Sequence, residues 1–302
     1  MPDIVSIGEP LFELSEAPGE KVYRQGFGGD TSNCAIAAAR QGASVAYVTA
    51  VGADQFGDAF MKLWQEEGVD TSGVKRSETA HTGIYFISHG PEGHVFSYMR
   101  AGSAASRMTP GDIPEAMIKS AKVLHASGIS QAISSSAADA VFSAMRVARA
   151  NNVLVSYDTN LRLRLWPLDR ARAVIHAAAG LTDILRPGID DARQLTGLAD
   201  PDHIVDFYLS IGPKIVALTL GEEGAIVATK ERRIHMNARK AKLVDATGAG
   251  DMFDGAFLAE YIRTGDPYAA GRYANVAAAL STEGYGAVGP MPRREQVEAA
   301  LD

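Results

Sequence analysis

The segment with the clearest capacity for chemistry runs from Asp245 to Asp251 and consists of Asp-Ala-Thr-Gly-Ala-Gly-Asp. An almost wholly apolar stretch follows it as far as Ile262. This pattern predicts a strand that ends near Val244, a turn of small residues, and a buried helix that begins at about Gly250. Unpaired N–H groups at a helix start carry a partial positive charge and bind anions. The segment therefore predicts a phosphate-binding turn.

Asp251 ends this segment, and its position allows two interpretations. An aspartate in the first turn of a helix interacts favourably with the helix dipole, so Asp251 could serve only as an N-terminal cap. Alternatively, its carboxylate could take a proton from a hydroxyl group that attacks a bound phosphoryl group. No Lys-Ser/Thr pair follows the glycines, and their spacing differs from the dinucleotide-binding fingerprint. This excludes a P-loop ATPase.

A second glycine-rich segment spans residues 26–33 and has the form Gly-Phe-Gly-Gly-Asp-Thr-Ser-Asn. The pair Gly28 and Gly29 could do no more than form a turn before a helix. It could also allow a ligand hydroxyl group to approach the main chain, with Asp30 and Asn33 supplying fixed polar groups. The second interpretation makes this segment a candidate binding site for a hydroxylated ligand.

Two tyrosines and two arginines indicate the chemical character of that ligand. Tyr85 and Tyr98 lie on the two arms of a predicted hairpin, so their hydroxyl groups can share one face. Arg100 follows the second arm, and Arg162 follows a predicted strand of the main sheet, where ligands gather. A guanidinium group can hold a carboxylate through paired hydrogen bonds. Taken alone, either arginine could equally be a solvated surface residue.

The order of the predicted elements indicates an α/β fold with a central, mostly parallel sheet and helices on both faces. Its predicted strands are 3–8, 45–51, 123–127, 153–157, 182–185 and 214–218, followed by a hairpin of 225–228 and 233–235. Strands from about 9–27, and a hairpin from about 82–100 with its turn at Gly90-Pro91-Glu92-Gly93, predict a small second sheet. Such a sheet could cover a cleft as a lid. We expect one domain over residues 1–302, since no linker divides the chain.

The composition limits the classes of partner. The formal net charge is −7, which argues against a nucleic-acid or anionic-membrane surface. Cys34 is the only cysteine, so no internal disulfide can form. The sequence has neither a leader pattern at Met1 nor an apolar run of membrane-spanning length. We therefore expect a cytoplasmic protein that acts on small molecules.

The two glycine-rich segments resemble the two signatures of the ribokinase-like (PfkB) carbohydrate kinases. Residues 26–33 are similar to the first signature, and residues 245–251 are similar to the second, which has the form Asp-Thr-x-Gly-Ala-Gly-Asp. The resemblance implies a ribokinase-like fold with Asp251 as catalytic base. It also implies an anion hole for the transferred phosphoryl group, built from the main-chain amides of Gly248, Ala249, Gly250 and Asp251.

Within that family, the chain is most similar to the 2-keto-3-deoxygluconate kinases. Those enzymes carry a Tyr-x-Arg segment, present here at residues 98–100, and an Asp-x-Asn-x-Arg-x-x-Leu-Trp segment, present at residues 158–166. Leu161 stands where many of them have tyrosine. The resemblance implies that the sugar is bound by Gly28, Gly29, Asp30, Asn33, Tyr85, Tyr98, Arg100, Arg162 and Asp251.

The resemblance also implies ATP and Mg²⁺ as cofactors. The residues that it places near the nucleotide are Asn160, Arg162, Thr219, Gly221, Gly224, Gly248, Gly250 and Asn275. The family's Asn-x-x-Glu element maps onto residues 188–191, where glycine replaces the asparagine and Asp191 replaces the glutamate. Asp191 is therefore a metal candidate that would act through water, and Asp245 is the candidate for a monovalent cation such as K⁺.

The leading prediction is ATP-dependent phosphorylation of 2-keto-3-deoxygluconate at its terminal hydroxyl group, to give the 6-phosphate. One alternative is a kinase for a neutral ketose, fructose or tagatose. Another is a non-catalytic sugar or nucleotide sensor on the same fold. We also expect a homo-oligomer, with a dimer formed through apolar residues of the small sheet such as Phe12 and Phe86.

Overall fold

The computed structural model describes residues 1–17, 22–90 and 93–301, which form two β-sheets and the surrounding helices. The strands are β1 (Ile4–Ile7), β2 (Leu11–Glu16), β3 (Tyr23–Gly28), β4 (Val45–Gly52), β5 (Val74–Ser77), β6 (Gly83–Gly90), β7 (Gly93–Met99), β8 (Val123–Ser127), β9 (Leu154–Asp158), β10 (Ile184–Arg186), β11 (Ile215–Thr219), β12 (Ala225–Ala228) and β13 (Arg233–Met236).

The helices alternate with these strands over most of the chain. They are α1 (Asp30–Arg40), α2 (Gln55–Glu66), α3 (Glu115–Lys119), α4 (Gly128–Ala132), α5 (Ser135–Ala150), α6 (Leu168–Ala179), α7 (Ile189–Thr196), α8 (Pro201–Ile211), α9 (Ala249–Thr264), α10 (Pro267–Ser281) and α11 (Arg294–Glu298). Short 3₁₀ turns lie at Ala105–Arg107, Pro110–Asp112 and Gly221–Glu223.

The larger sheet has nine strands in the order β13-β12-β11-β10-β9-β8-β1-β4-β5. The seven neighbouring strands β11, β10, β9, β8, β1, β4 and β5 run parallel, and the hairpin β12–β13 adds an antiparallel edge next to β11. Each face has its own apolar core. Val5 and Ile7 pack with residues of α5 to α8, whereas Ile4 packs with residues of α1, α2, α9 and α10. The predicted α/β architecture with helices on both faces is confirmed.

The predicted strand at Val244 is wrong. The N–H groups of Val244 and Asp245 both donate to Thr282 O, at 2.8 and 3.1 Å, and residues 237–248 form no strand. Leu243 is 70% exposed, and a polar, basic run precedes it. Two apolar residues after such a run have no sheet edge to pair with, so the chain reaches α9 through an irregular loop.

The smaller sheet has four strands in the order β3-β2-β6-β7. Strands β2 and β6 pair in parallel, and the other two pairs are antiparallel. The two predicted stretches, 9–27 and 82–100, therefore do form one separate sheet. The hairpin β6–β7 is present as predicted, although Pro91 and Glu92 of its turn lie outside the described residues.

The apolar surface of the small sheet differs from the predicted one. Phe12 is only 2% exposed and packs against Phe27, Phe56 and Phe60, so it belongs to the core. Large exposed apolar side chains lie instead on the edge strands, at Tyr23, Val95, Phe96, Tyr98 and Met99. The dimer through this sheet stays a prediction, and its expected contact residues move to β3 and β7.

Helix α9 is held in place by close packing against α1. A Cβ at position 255 would lie 2.5 Å from Ala37 Cβ and 2.6 Å from both Ala38 N and Cys34 O. Only glycine allows the two backbones to approach this closely. Because α1 begins at Asp30 and α9 carries Asp251, this contact fixes the distance between two predicted site segments.

We predict that Gly255→Ala lowers the free energy of unfolding by about 1–3 kcal/mol, since the added methyl group must push α1 and α9 apart. Gly180→Ala is the matched control. Its nearest neighbour would lie at 3.5 Å and its φ is −63°, so it should be neutral or slightly stabilising. Urea unfolding curves of both variants check this, and equal stabilities would contradict the packing argument.

Candidate active site

A cleft of about 830 Å³ lies at the carboxyl ends of the parallel strands and is lined by residues of both sheets. Every residue predicted to bind the sugar lines this cleft: Gly28, Gly29, Asp30, Asn33, Tyr85, Tyr98, Arg100, Arg162 and Asp251. Of the other predicted residues, Asn160, Asp191, Gly248 and Gly250 line it as well. Residues separated by more than 200 positions in the sequence thus share one concave surface.

The side chain of Asp251 is directed to α1. Its Oδ2 accepts a hydrogen bond from Asn33 Nδ2 at 2.8 Å, and it accepts none from the described N–H groups of α9. The N-terminal cap of α9 is Gly248, which has a φ of +77° and carries no side chain to cap the helix. Asp251 therefore does not act as a cap, and the first N–H groups of α9 stay free of side-chain acceptors.

The electrostatic surroundings of Asp251 favour a base near neutral pH. Burial raises its pKa to about 7, and the carboxylate of Asp30 contributes to the increase. The hydrogen bond from Asn33 and the charge of Arg186 oppose this change without cancelling it. A carboxylate with such a pKa can both accept and release a proton under physiological conditions.

Asp30 is held in a fixed orientation by two donors. Asn160 Nδ2 donates to its Oδ2 at 2.7 Å, and the N–H of Thr31 donates to its Oδ1 at 2.8 Å. Asn160 adopts a φ of +28°, an uncommon conformation for a residue other than glycine, and its N–H bonds Asp158 Oδ1 at 3.0 Å. The strained turn after β9 is therefore tied directly to the start of α1.

The small sheet contributes an aromatic wall. Tyr85 and Tyr98 are directly opposite in the β6–β7 pair, and their rings stack with centroids 5.9 Å apart. The Tyr85 hydroxyl group donates to Glu13, whereas Tyr98 is 45% exposed. A Cβ at position 28 would lie 2.9 Å from the Tyr85 hydroxyl oxygen, so Gly28 is required for this close approach.

The two predicted arginines have different surroundings. Arg100 forms an ion pair with Glu9, a buried residue that the sequence analysis did not select, and its Nε is buried without a partner. Burial raises the pKa of Glu9, and Arg100 opposes that increase. Arg162 is exposed and donates only to Leu161 O, at 2.8 Å, among the described residues. Arg162 thus carries the less compensated positive charge.

The two carboxylates predicted to bind cations, Asp191 and Asp245, already accept hydrogen bonds from main-chain N–H groups. Asp191 Oδ2 accepts from the N–H of Leu161 at 2.9 Å. Asp245 Oδ1 accepts from Thr247 N and Oγ1, and its Oδ2 accepts from Gly286 N. The described residues contain no group of three or more acidic, histidine or cysteine side chains placed to bind a metal. This donor set fits an ion that is held mainly by phosphate oxygens and water, as Mg²⁺ often is.

Four residues predicted to contact the nucleotide lie outside the cleft lining: Thr219, Gly221, Gly224 and Asn275. Thr219, Gly221 and Asn275 belong to a neighbouring surface, beneath which Gly224 is buried. Gly224 packs against the Asn237 backbone, and Asn275 Nδ2 donates to Asn237 O at 2.7 Å. Thr219 and Gly188 form an isolated parallel β-bridge, which connects this surface to the segment after β10. The structure thereby places them together, next to the cleft. Ala249 is the first residue of α9 but does not line the cleft.

The sequence analysis missed Arg186, which lies at the floor of the cleft. Its Nε and Nη2 donate to the carboxylate of Asp254 at 2.7–3.1 Å, and Nη2 also pairs with Asp158. A Cβ at position 250 would lie 3.1 Å from Nη2, so the guanidinium group packs beside Gly250. Its position at the end of a predicted apolar strand was a signal that could have identified it.

Comparison with known proteins identifies the family of the chain. A model of the pfkB family of carbohydrate kinases matches residues 1–294. The chain belongs to the pfkB family. This carbohydrate kinase is 35% identical to 2-dehydro-3-deoxygluconokinase of Thermoproteus tenax, over 100% of this chain and 94% of the relative. It is 33% identical to fructokinase-2 of Solanum lycopersicum, over 86% of this chain and 81% of the relative.

A solved structure of the same fold is that of a fructokinase from Vibrio cholerae with bound fructose, ADP and calcium ion. It superimposes with a TM-score of 0.91 at 27% identity and covers 100% of this chain and 99% of its own. The nine-stranded sheet with a smaller second sheet is therefore the ribokinase-like fold that the sequence predicted. Among the helices of the described ranges, none combines the length and hydropathy of a transmembrane span.

For this pfkB kinase we predict that kcat/KM for the sugar falls about tenfold per pH unit as the pH decreases below about 7. The reason is that a base must be ionised to accept a proton, and the pKa of Asp251 is raised to about 7. Initial rates at saturating nucleotide and Mg²⁺ between pH 5 and 9 would measure this profile, with circular dichroism at each pH as the control for unfolding. A flat profile down to pH 5 would contradict the assignment.

Proposed function

We propose that the protein transfers the terminal phosphoryl group of ATP to the terminal hydroxyl group of 2-keto-3-deoxygluconate, yielding the 6-phosphate and ADP. The observation that carries this proposal is that Arg100 and Arg162 line the same cleft as Asp251. The molecule as a whole is acidic, with a net charge of −7, so placing two guanidinium groups here makes the cleft locally favourable to an anion.

The sugar would bind between the aromatic wall and the start of α1. In this pose the carboxylate lies near Arg162, with Arg100 contributing a second positive charge. Hydroxyl groups contact the main chain at Gly28 and Gly29 and the side chain of Asn33, whose Oδ1 is buried without a partner. Such an atom needs a hydroxyl donor from the ligand to complete its hydrogen bonds.

Asp251 accepts the proton of the terminal hydroxyl group as its oxygen attacks phosphorus. The new O–P bond forms, the bond to the leaving oxygen of ADP breaks, and its electrons stay on that oxygen. The N–H groups of Gly248 and Gly250, which line the cleft, stabilise the charge on the transferred group, whereas the N–H of Ala249 donates to Ala246 O at 3.2 Å and closes the turn. Bound Mg²⁺ supplies further neutralisation of phosphate charge, with Asp191 as its candidate contact through water. The small sheet covers the cleft and excludes water as a competing acceptor.

The rest of the nucleotide would extend over the surface formed by Thr219, Gly221 and Asn275, with the buried Gly224 shaping the main chain beneath it. This surface adjoins the cleft at the bridge between Thr219 and Gly188. Asn160 and Arg162 lie between the two regions in this arrangement and could contact the phosphates. We retain Asp245 as the candidate position for a monovalent cation, because it organises the loop that precedes the anion hole.

A neutral ketose such as fructose is the second candidate substrate. Glu9 compensates the charge of Arg100, which reduces the cost of leaving that arginine without a ligand carboxylate. The relative named fructokinase-2 also covers most of the chain. Arg162 has no comparable partner among the described residues, and this difference favours the acid sugar.

We predict that Arg162→Ala raises KM for 2-keto-3-deoxygluconate by about tenfold or more, because a charged hydrogen bond contributes ~1.5–3 kcal/mol. KM for fructose should change little. Arg170→Ala is the matched control, since Arg170 is exposed on α6 and does not line the cleft. Coupled assays of ADP release over a panel of acid and neutral sugars give both constants. An equal loss on both sugar types would reject the carboxylate contact.

We predict that Asp251→Asn reduces kcat by about 10³-fold or more while leaving sugar binding measurable, because it removes the base and retains a partner for Asn33. The folded state should be at least as stable as wild type above pH 7. There the ionised carboxylate costs stability, since its pKa is raised in the folded protein. Calorimetry and steady-state rates test both points, and retention of most activity in Asp251→Asn would reject the role of Asp251 as catalytic base.

A further inference from the structure

The position of Arg186 is unusual for a charged residue that has no assigned role. It is the last residue of β10, its side chain is 11% exposed, and it reaches the cleft floor beside Gly250. Gly250 belongs to the turn whose N–H groups hold the transferred phosphoryl group in the proposed mechanism. The guanidinium group therefore lies at the edge of the anion hole.

The hydrogen bonds of Arg186 leave one nitrogen available. Nε donates to both oxygens of Asp254 at 3.1 Å, and Nη2 donates to Asp254 at 2.7 Å and to Asp158. Nη1 makes no hydrogen bond with the described residues. A Cβ at position 250 would lie 3.1, 3.2 and 3.3 Å from Nη2, Nη1 and Cζ, so the guanidinium plane stacks against Gly250. Arg186 lines the cleft, and the two N–H groups of Nη1 are its donors without a protein acceptor among the described residues.

The two aspartates orient the guanidinium group as well as compensating its charge. Asp158 and Asp254 are 1% and 4% exposed; Asp254 binds the edge formed by Nε and Nη2, and Asp158 binds Nη2. Burying three charged groups together costs solvation free energy that their attraction only partly returns. An apolar cluster would fill this space at lower cost, so the arrangement has the character of a functional element.

We propose that Arg186 is a further catalytic residue, whose Nη1 donates hydrogen bonds to the phosphoryl group as it moves from ATP to the sugar. Asp158 and Asp254 act as positioning residues for this contact. The proposal rests on the phosphoryl transfer at Asp251 and is independent of which sugar accepts the group.

The chemistry requires such a donor. During transfer, the bond from phosphorus to the leaving oxygen of ADP breaks while the bond to the sugar oxygen forms, and negative charge is spread over the three other phosphoryl oxygens. Main-chain N–H groups of the turn approach these oxygens from one side. The hydrogen bonds from a rigid cationic donor beside these oxygens strengthen as that charge develops. Such a donor therefore lowers the activation barrier more than it increases the affinity for ATP.

The first test is Arg186→Lys, which keeps a cation between the two aspartates and removes Nη1. We expect kcat to fall about 100-fold or more, with KM for ATP and for the sugar within about threefold of wild type. Arg233→Lys is the matched control. Arg233 also binds two aspartates, Asp202 and Asp206, and lies away from the cleft. Its kcat should stay at the wild-type value.

The decisive readout is binding of a transition-state analogue. ADP with aluminium fluoride, Mg²⁺ and the best sugar of the wild-type panel should bind Arg186→Lys about 100-fold more weakly, while binding of a non-hydrolysable ATP analogue changes less than about threefold. Asp254→Asn removes one buried charge and keeps Arg186 and Asp158. We expect it to lower kcat and the affinity for the transition-state analogue by smaller factors than Arg186→Lys does. This second variant decides the matter if Arg186→Lys does not fold.

The outcomes separate this proposal from the proposed function. A wild-type protein without activity on any sugar of the panel would reject the kinase mechanism itself. An active wild type with Arg186→Lys within about threefold in kcat would overturn the role of Arg186. A lower kcat with unchanged affinity for the transition-state analogue would also overturn it, because a merely structural arginine has that effect.

Discussion

The structure depends on how a group of aspartates is accommodated at the start of α9. Asp30, Asp158, Asp251 and Asp254 lie close enough to influence one another, and Arg186 is the cation in their midst. Carboxylates packed together and partly removed from water repel one another, so their pKa values rise unless donors compensate them. Asn33 and Arg186 oppose the increase at Asp251, and Arg186 opposes it at Asp158, where burial still raises the pKa well above its usual range. The remaining imbalance is what leaves Asp251 with a proton affinity suited to a base.

The parallel sheet explains how these groups come together. The strands β1, β9, β10 and β11 end at the same edge of the large sheet. Glu9 and Asn160 lie just after β1 and β9, and Arg186 and Thr219 are the last residues of β10 and β11. Two helices begin at that edge with acidic residues, Asp30 on α1 and Asp251 on α9. Close packing of α1 on α9 at Gly255 holds them in register. The packing of the core thus fixes the distance between the carboxylates of Asp30 and Asp251.

The small sheet governs the acceptor side of the cleft. Its strands present Tyr85 and Tyr98 as a stacked wall, and its loop end delivers Arg100 to the buried carboxylate of Glu9. Arg162 comes from the loop after β9 of the large sheet and forms no ion pair with the described residues, although its charge acts on Asp191. An anionic sugar bound between the two arginines would therefore connect both sheets, which gives substrate binding a direct way to close the cleft.

The sequence by itself determined the alternation of strands and helices, the division into two sheets, and the nine residues predicted to bind the sugar, all of which line the cleft. The first two follow from local periodicity. The site residues followed from the resemblance of residues 26–33 and 245–251 to the two family signatures. The same local logic failed at Val244, where two apolar residues had no strand to pair with.

Only the tertiary structure decided which charges meet. The pairing of Arg100 with Glu9 joins positions 91 residues apart, and that of Arg186 with Asp254 joins positions 68 residues apart. No periodicity or spacing encodes such contacts, because they depend on strand order and on how helices pack across the sheet. The pKa of Asp251 is a property of that assembly, since its cause is burial and the nearby carboxylate of Asp30.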